Sequence, residues 1–258
     1  MTDLPSAVAE LVDVLAGLPG AIAVVLGGSH ALGSADTQSD WDLGLYYRRT
    51  IDLTALTAHG TVHPPGSWGR VMNGGAWLHC EGHKVDVILR DLDIVEHWTR
   101  QAENGEFDVD SLLGYLAGIP TYTLTAELAS CRLLRGDLPA APRYPSKLMA
   151  SGAARWRFCR TFSLDCGRMH AARGNVAGAI GHTARAAMEE AHAIQCERGE
   201  WVCNEKRLIE AAGLTGVHAV LARTPDLSSL VQWVDLVADR LGVPAGSASP
   251  WTDAGRNI

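Results

Sequence analysis

The sequence predicts an α/β (α+β) domain followed by an all-α helical bundle domain. Short apolar runs typical of strands alternate with helical patterns over the first part of the 258-residue chain. Three prolines within residues 138–145 then exclude a helix or a central strand. Beyond that stretch, the periodic segments are all helical. We therefore expect domains at 1–142 and 143–244, and a loose tail without periodicity at 245–258.

The first domain is expected to combine amphipathic helices with short strands. Glu81-Gly82 is typical of a hairpin turn between the last two strands. A short helix can begin at Ser29, and the stretch 59–70, which contains proline and glycine, is expected to be a loop. The predicted helices cover 4–15, 51–58, 93–103 and 124–134, and the predicted strands cover 21–26, 41–47, 76–80 and 84–89.

The second domain is expected to consist of helices that begin or end at capping residues. Gly174, Gly199 and Gly213 follow three of the periodic segments, and glycine favours the end of a helix. The predicted helices cover 146–173, 175–198, 204–212 and 226–241.

Composition argues against membrane and secreted classes. Hydrophobic residues make up 47% of the chain and charged residues 20%. No apolar run approaches the roughly 20 residues that a membrane helix needs. Glu10 and Asp13 interrupt the apolar stretch near the N-terminus, which also lacks a basic region, so we expect no signal peptide and a cytoplasmic location. The six cysteines show no zinc-binding spacing and are expected to be reduced.

The net charge of −7 is distributed unevenly along the chain. Residues 1–142 contain 18 acidic and 8 basic residues, a balance of −10, whereas residues 143–173 contain seven basic residues and one acidic residue, a balance of +6. Long nucleic acid requires a broad basic surface, so we do not expect it as a partner. An acidic domain beside a basic helical segment suits a metal-bound nucleotide instead.

The stretch from Gly27 to Asp42 carries the most specific chemistry of the sequence. A double glycine permits a sharp turn and brings bare backbone close to a ligand. The first N–H groups of a helix that begins at Ser29 would point towards an anion. Asp40 and Asp42 follow at the start of the second strand, where residues i and i+2 project to the same side. Two like charges on one face repel each other, and a divalent cation would offset that repulsion.

The motif GGS, ten further residues and DWD, at residues 27–42, resembles the signature of the DNA polymerase β-type nucleotidyltransferase superfamily. The resemblance implies a mixed sheet with a third carboxylate on a later strand, and Asp86 lies alone within the apolar segment 84–89. A mixed domain followed by a helical bundle is similar to the kanamycin, streptomycin and lincosamide nucleotidyltransferases. The specific motifs are confined to the first half of the chain.

The resemblance also implies roles for individual residues. Asp40 and Asp42 would hold two Mg²⁺ ions, and Asp86 would join the ion nearer the acceptor. The phosphates of a nucleoside triphosphate would contact the turn at the start of the motif, and a lysine of the helical domain would reach the triphosphate. These nucleotide-binding residues are Gly27, Gly28, Ser29 and Lys206.

Less specific interpretations stay open at several of these positions. Asp40 and Asp42 could lie on a solvated strand face, and Asp86 could lie at the edge of the sheet. His30 either contacts phosphate or is merely exposed. Lys206 either binds nucleotide or lies at the surface.

Other acidic residues leave the identity of the proton acceptor open. Asp86 is one candidate, and Glu189 or Glu190 of the helical domain is another, as in kanamycin-type members. A solvated helix face would account for at least one of the two glutamates. Asp91 and Asp93 form a second D-x-D pattern, which we interpret as residues at a helix N-terminus and not as metal ligands.

Together these features predict a Mg²⁺-dependent nucleotidyltransferase that transfers a nucleoside monophosphate to a hydroxyl group of a small molecule and releases pyrophosphate. AMP from ATP is the expected case. The charge imbalance favours a polyhydroxylated, cationic acceptor of the aminoglycoside or a related antibiotic type. Two alternatives stay open, namely nucleotidylylation of a protein or tRNA, as in toxin–antitoxin systems, and a nucleotide-binding regulatory protein without turnover. The oligomeric state is not predicted.

Overall fold

The computed structural model describes residues 4–33, 35–36, 39–223 and 225–244. Within these ranges the chain divides into a sheet unit, residues 4–102 with 120–143, and a helical unit, residues 103–119 with 144–244. The segment 103–119 thus groups with the helices that follow it much later in the chain. The domain limits at 142 and 143 stay a prediction, and the predicted tail at 245–258 lies outside the described residues.

The described residues form eight strands: β1 (Ala21–Leu26), β2 (Trp41–Tyr47), β3 (Gly60–His63), β4 (Gly75–Cys80), β5 (His83–Asp91), β6 (Val109–Asp110), β7 (Ile119–Pro120) and β8 (Arg132–Gly136). Six of them build a sheet in the order β3–β4–β5–β2–β1–β8, and β6 pairs with β7 separately. β2 and β5 are parallel, whereas the other neighbours in the large sheet are antiparallel. The sheet is therefore mixed, as predicted.

The described helices are α1 (Ser6–Ala16), α2 (Gly28–Leu32), α3 (Gly69–Met72), α4 (Leu92–Glu103), α5 (Thr123–Ser130), α6 (Ser146–Ala172), α7 (Val176–Arg198), α8 (Leu208–Ala211), α9 (Gly216–Leu221) and α10 (Leu230–Arg240). Two short 3₁₀ turns cover Thr54–Ala58 and Leu227–Ser229. The chain is thus a mixed α+β sheet region with a helical C-terminal region. In the described ranges, no helix has the length and apolar character needed to cross a bilayer.

Successive side chains of the central strands alternate between the face of the sheet that packs on the core and the opposite face. Leu43 on β2 and Val87 on β5 are buried in one cluster with the apolar side of α1. Successive side chains of a strand project to opposite faces. Asp42 and Asp86 therefore lie on the face opposite α1.

The predictions for 51–58 and 59–70 are wrong in part. The first segment forms a 3₁₀ turn, and the expected loop contains β3, which pairs with β4. The Asp52 side chain accepts a hydrogen bond from the Thr54 N–H at 2.9 Å, a local bond that competes with a regular helix. Leu56 is the single fully buried apolar residue of the turn, too little to anchor an amphipathic helix.

The predicted helix 124–134 is also wrong at its C-terminal end. α5 stops at Ser130, and the residues that follow form β8 against the edge of β1. The Ser130 hydroxyl donates to the Ala126 carbonyl oxygen at 2.8 Å, which competes with helix continuation. Pairing with an open sheet edge then overrides the helical propensity of the sequence.

The two long helices of the helical unit confirm the sequence prediction. The Asn175 side chain accepts a hydrogen bond from the Gly178 N–H at 3.1 Å and caps the start of α7, and Gly199 ends α7 with a left-handed φ of 68°. Gly152 on α6 lies against Cys196, where a Cβ atom would approach the sulfur to 2.8 Å. This close approach explains why α6 has a glycine in its interior.

The shorter helices differ from the prediction. The helix expected at 204–212 is reduced to α8, because the Asn204 side chain accepts from the Lys206 N–H and Arg207 has a left-handed φ of 55°. The helix expected at 226–241 begins as a 3₁₀ turn and continues as α10. α9 was not predicted.

Candidate active site

Asp42 and Asp86 lie side by side on neighbouring parallel strands. The register of β2 and β5 pairs Asp42 directly with Asp86, and both residues are half-buried. Neighbouring strands are about 4.7–4.9 Å apart, so the two carboxylates start from adjacent backbone positions. β5 lies between β4 and β2, which excludes the alternative that Asp86 lies at the sheet edge.

The Gly27-Gly28 turn holds bare backbone against the Asp42 side chain. The Gly27 N–H donates to the Asp42 carbonyl oxygen at 2.8 Å and extends the ladder between β1 and β2. Gly28 has a left-handed φ of +58°, and a Cβ atom at this position would lie 1.8 Å from Asp42 Oδ2. Glycine is required here for both its backbone conformation and its lack of a side chain.

The other residues of the motif are less constrained. Asp40 is exposed and lies one residue before β2. Ser29 is half-buried in the first turn of α2. The His30 ring stacks on Trp41, with ring centroids 3.8 Å apart and an angle of 8° between the planes, so the expectation of a merely exposed histidine is wrong. This stacking fixes α2 over the start of β2.

The donor chemistry of the site fits Mg²⁺, although the protein alone does not build a complete cage. Within the described part of the chain, no group of three or more His, Cys, Asp or Glu side chains is arranged to hold a metal ion. Mg²⁺ is commonly held through one or two carboxylates, and waters and substrate phosphates complete its octahedral shell. Asp42 and Asp86 supply such a pair. The site therefore suits an ion that shares its ligands with a phosphate.

An exposed tryptophan, Trp77, which was not predicted as a site residue, lies next to the two carboxylates. We call Asp42, Asp86 and Trp77, which are paired across three neighbouring strands, the carboxylate row. Trp77 on β4 pairs directly with Asp86, so both side chains lie on one face of the sheet. Trp77 is 50% exposed, and its ring contacts His63 and Trp68, with centroids 4.5 and 5.6 Å away. The predicted turn at 81–82 contained the necessary signal, because a two-residue turn pairs 80 with 83 and hence 77 with 86.

Glu189 and Glu190 are buried in the helical unit, so the prediction of a solvated helix face is wrong for both. They are 1% and 5% exposed. Glu189 pairs with Arg185 at 2.8 Å, and Glu190 pairs with Arg160 and Arg157. Burial raises the pKa of the Glu189 carboxyl above its ordinary value, and the opposing effect of Arg185 is smaller. Glu190 therefore pairs with arginines of α6 where the two helices pack, whereas Glu189 pairs with an arginine of its own helix.

The basic segment 143–173 is partly engaged in similar contacts. One of its arginines donates to the carbonyl oxygen of Phe107, two pair with glutamates of α7, and one pairs with Asp165 and Asp235. The arginines in these contacts are Arg155, Arg157, Arg160 and Arg168. Much of the basic excess that we expected to face a triphosphate is therefore bonded within the helical unit.

Lys206 is exposed in a turn before α8, and not in the first turn of a helix. Its N–H donates to Asn204 Oδ1 at 2.9 Å. Glu205 anchors the turn, because its carboxylate accepts from the N–H groups of Leu116 and, at 2.8 Å, Ala117. These bonds tie the segment that carries Lys206 to the segment 103–119.

Glu205 is expected to stabilise the helical unit in a pH-dependent way. Burial raises the pKa of its carboxyl, but His192 and the two backbone donors together lower it by more, so the net pKa lies below its ordinary value. The stabilisation is therefore present above the ordinary pKa of about 4.3 and is lost as the pH falls through the lower folded-state value. Glu205→Gln should reduce the free energy of unfolding by about 1–2 kcal/mol at neutral pH.

Urea unfolding of both proteins over a series of acidic to neutral pH values measures this effect. Glu210→Gln is the matched control, because Glu210 pairs with His218 at the surface, where both side chains are about half exposed. The control should change the free energy by less than about 1 kcal/mol. Equal losses in the two glutamine variants, or an acid dependence that Glu205→Gln leaves unchanged, would contradict the assignment.

No family model and no curated protein sequence matches the chain. Among solved structures, the chain is similar to the crystal structure of a nucleotidyltransferase-like protein from Exiguobacterium sibiricum. The two share 13% sequence identity, the similarity covers 91% of this chain and 73% of that chain, and the TM-score is 0.45. The activity proposed below rests on the residues of the site and not on this likeness.

Proposed function

We propose that this protein is a Mg²⁺-dependent nucleotidyltransferase that transfers a nucleoside monophosphate to a hydroxyl group of a small molecule. ATP is the proposed donor, and pyrophosphate is the second product. The observation that carries the proposal is the direct pairing of Asp42 with Asp86 beside the Gly27-Gly28 turn. This arrangement offers carboxylate oxygens for a cation and backbone N–H groups for phosphate at one place.

The proposed reaction begins when the acceptor hydroxyl oxygen attacks the α-phosphorus of the nucleotide. The bond between that phosphorus and the oxygen that bridges to the β-phosphate then breaks. Asp86 accepts the hydroxyl proton, because it is the carboxylate of the pair that lies next to Trp77, on the side where we place the acceptor. Gly28 and Ser29 bind the β- and γ-phosphates through backbone N–H groups and the serine hydroxyl.

Asp42 and Asp86 are proposed as ligands of two Mg²⁺ ions on the basis of their pairing, whereas Asp40 is proposed only because the motif resembles that of the superfamily, since the three side chains form no metal-binding group in the described part of the chain. Mg²⁺ held by these carboxylates would supply Lewis acidity for the phosphoryl oxygens and for the charge of the leaving pyrophosphate. The protein's part is to keep the carboxylates at adjacent positions of a parallel ladder. Their mutual repulsion in the absence of cations favours ion binding at this place.

Trp77 gives the carboxylate row an aromatic end that suits a cationic, polyhydroxylated acceptor. The face of an indole ring attracts ammonium groups, and the neighbouring carboxylates strengthen this attraction. Trp77 lies on the side of Asp86 that is away from Asp42 and the glycine turn. Attacking and leaving oxygens lie roughly in line in phosphoryl-type transfer. We therefore place the acceptor at the Trp77 end, opposite the pyrophosphate at Gly28.

Trp77→Ala should raise the KM for the acceptor by about three- to thirtyfold, as expected for loss of a cation–π contact. The KM for the nucleotide should stay near the wild-type value, because the substitution lies at the other end of the row. Steady-state kinetics with each substrate varied in turn separates the two. Leu133→Ala removes an exposed apolar side chain from the opposite edge of the same sheet and serves as the control. A raised nucleotide KM with an unchanged acceptor KM would instead place the nucleotide, and not the acceptor, at the Trp77 end.

Lys206 is proposed to contact the triphosphate. Lys206→Ala should weaken nucleotide binding or slow transfer by about tenfold, the size of one charge-assisted hydrogen bond, and should leave acceptor affinity unchanged. Calorimetry with a nonhydrolysable nucleotide and turnover assays measure the two effects. Arg223→Ala, which removes another exposed cation of the helical unit, is the control. Lys206 is a surface residue if nucleotide affinity and turnover both remain at wild-type values.

The proposed activity is tested by incubating the protein with Mg²⁺, one of four nucleoside triphosphates, and a panel of aminoglycosides, lincosamides and nucleoside-type antibiotics. Mass spectrometry should show one compound that gains one nucleoside monophosphate, with an equal amount of pyrophosphate released. Nucleotide found on a co-purifying protein or tRNA would replace the small-molecule acceptor by a macromolecular one. Nucleotide binding without any product would indicate a regulatory protein.

A further inference from the structure

A cavity separate from the carboxylate pair opens at the carboxyl ends of β2 and β5. Its volume is about 290 Å³, and Tyr47 and Asp91, the last residues of the two strands, line it. Asp42 and Asp86 lie five residues earlier on the same strands. Five residues of a strand span about 16 Å, so the cavity and the carboxylate pair are distinct places in the sheet unit.

Two opposite charges of the lining lack an ion-pair partner among the described residues. Arg49, which follows β2 and is exposed, and Asp91, which is half-buried, line the same cavity. They pair neither with each other nor with another charged side chain in the described ranges. One oxygen of Asp91 accepts from the Asp93 N–H at 3.0 Å and caps the start of α4, which leaves the second oxygen for another donor. A ligand that lies between the two charges can therefore bind one donor group and one acceptor group.

The other two arginines of the lining are already engaged. Arg90 is 2% exposed and pairs with Glu127, which compensates its charge inside the fold. The Arg70 guanidinium lies over the Trp98 ring, 5.3 Å from the ring centroid, and Trp98 is not part of the lining. The charge that remains for a ligand is therefore balanced, with one guanidinium and one carboxylate.

A buried hydroxyl group adds a third polar contact. Tyr47 is 2% exposed, and its hydroxyl oxygen accepts from Asn73 Nδ2 at 2.8 Å. Asn73 Oδ1 accepts from the Gly66 N–H at 2.9 Å, so the amide nitrogen, and not the oxygen, faces the tyrosine. Burial raises the pKa of the Tyr47 hydroxyl, an effect that Asn73 opposes and the Asp91 carboxylate supports. The hydroxyl therefore keeps its proton at neutral pH, and none of the described residues accepts a hydrogen bond from it.

The remaining wall is apolar and comes from four different segments. Its residues belong to α3, β5, α4 and α5, and they are Val71, Leu89, Ile94, Val95 and Leu124. Small-molecule sites commonly combine a mainly apolar wall with a few converging polar groups. The volume is near the lower end of the usual range for such sites, about 300–1,000 Å³, and suits a small ligand.

We propose that this cavity binds a free α-amino acid with an apolar side chain. The carboxylate of the ligand binds Arg49, whose planar guanidinium fits two carboxylate oxygens at once, and accepts a hydrogen bond from the Tyr47 hydroxyl. The ammonium group of the ligand donates to the second oxygen of Asp91. The side chain of the ligand contacts the apolar wall. An α-amino acid carries one charge of each sign, which matches the balanced lining, and the proposal does not depend on nucleotidyl transfer.

Isothermal titration calorimetry of the full chain, with EDTA and without nucleotide, tests this proposal. The probes are L-leucine, L-methionine and L-phenylalanine, and we expect at least one of them to bind. The amino acid that binds best is then compared with its carboxamide and with its deaminated carboxylate, each of which lacks one charge. Each analogue should bind about tenfold more weakly, as expected for the loss of one charge-assisted hydrogen bond. Glycine, which has no apolar side chain, should also bind more weakly.

Variants identify the residue that binds each charge. Arg49→Gln should weaken binding of the amino acid and of the deaminated carboxylate by about tenfold and leave the carboxamide unchanged. Asp91→Asn, which keeps the oxygen that caps α4, should weaken the amino acid and the carboxamide and leave the deaminated carboxylate unchanged. Arg135→Gln removes an exposed arginine that pairs with Asp13, away from the cavity lining, and should bind all three compounds like the wild type. Asp42→Asn should also bind like the wild type, because the carboxylate pair is a separate site.

The proposal is overturned if none of the three amino acids binds, or if either analogue binds as tightly as the amino acid. It is also overturned if Arg49→Gln and Asp91→Asn bind the three compounds as Arg135→Gln does, or if Asp42→Asn abolishes binding. Circular dichroism verifies the fold of each variant. The comparison of the three compounds on the wild type needs no variant, so it decides the case even where a variant fails to fold.

Discussion

Asp42→Asn and Asp86→Asn should each reduce turnover by at least about a hundredfold, because a catalytic metal supplies several kcal/mol of transition-state stabilisation. Asparagine keeps the shape of the side chain and removes the negative charge that holds the cation. The two residues are direct partners in the parallel ladder, so each substitution removes one of the two paired metal ligands. Product formation at saturating nucleotide, Mg²⁺ and acceptor measures the effect, and circular dichroism verifies the fold.

Asp40→Asn should lose a comparable factor, since the resemblance of the motif implies that Asp40 shares the ions. Asp137→Asn is the control, because Asp137 is an exposed carboxylate of the same unit directly after β8. It should retain wild-type turnover. Near-normal turnover by Asp42→Asn or Asp86→Asn would remove the basis for the metal assignment.

Gly28→Ala should reduce both stability and turnover. A residue with a side chain pays about 1–2 kcal/mol for a left-handed backbone, and the new methyl group would meet Asp42 Oδ2, which lies 1.8 Å from the position of the Cβ atom. The carboxylate must then move. Misplacement of a catalytic group by about 1 Å can cost about a hundredfold in rate, so we expect a loss of that order. Urea unfolding and turnover assays measure the two effects.

Gly33→Ala separates the cost of the left-handed backbone from the effect of the new contact with Asp42. Gly33 has a left-handed φ of +70°, but no atom of the residues that the structure describes lies within 4 Å of a Cβ placed there. This variant should lose about 1–2 kcal/mol of unfolding free energy for the backbone alone and should keep its turnover. If both alanine variants retained wild-type turnover, the contact between Gly28 and Asp42 would have no part in catalysis.

The strands that carry the site could be predicted from the sequence because their signals are local. The apolar run at 21–26 and the alternation at 41–47 match β1 and β2 residue for residue. The double glycine likewise indicated a turn before α2. The direct pairing of Asp42 with Asp86 could not be read from the chain, because it depends on β5 lying beside β2. Only the resemblance of the motif indicated a third carboxylate on the same sheet.

The errors arise where distant contacts decide the structure. β8 forms because β1 offers an unpaired edge. The helical pattern of 124–134 is local and does not indicate that a distant strand is available for pairing. Glu189 and Glu190 look like solvated helix residues in the sequence, yet α6 covers them and supplies Arg160 to one of them.

A crystal structure with Mg²⁺ and a nonhydrolysable ATP analogue would locate both ligands of the proposed enzyme. We expect an ion bound by the carboxylates of Asp42 and Asp86, with the triphosphate along Gly28 and Ser29 and the α-phosphate facing Trp77. A nucleotide bound elsewhere, with no ion between Asp42 and Asp86, would rule out the proposed site.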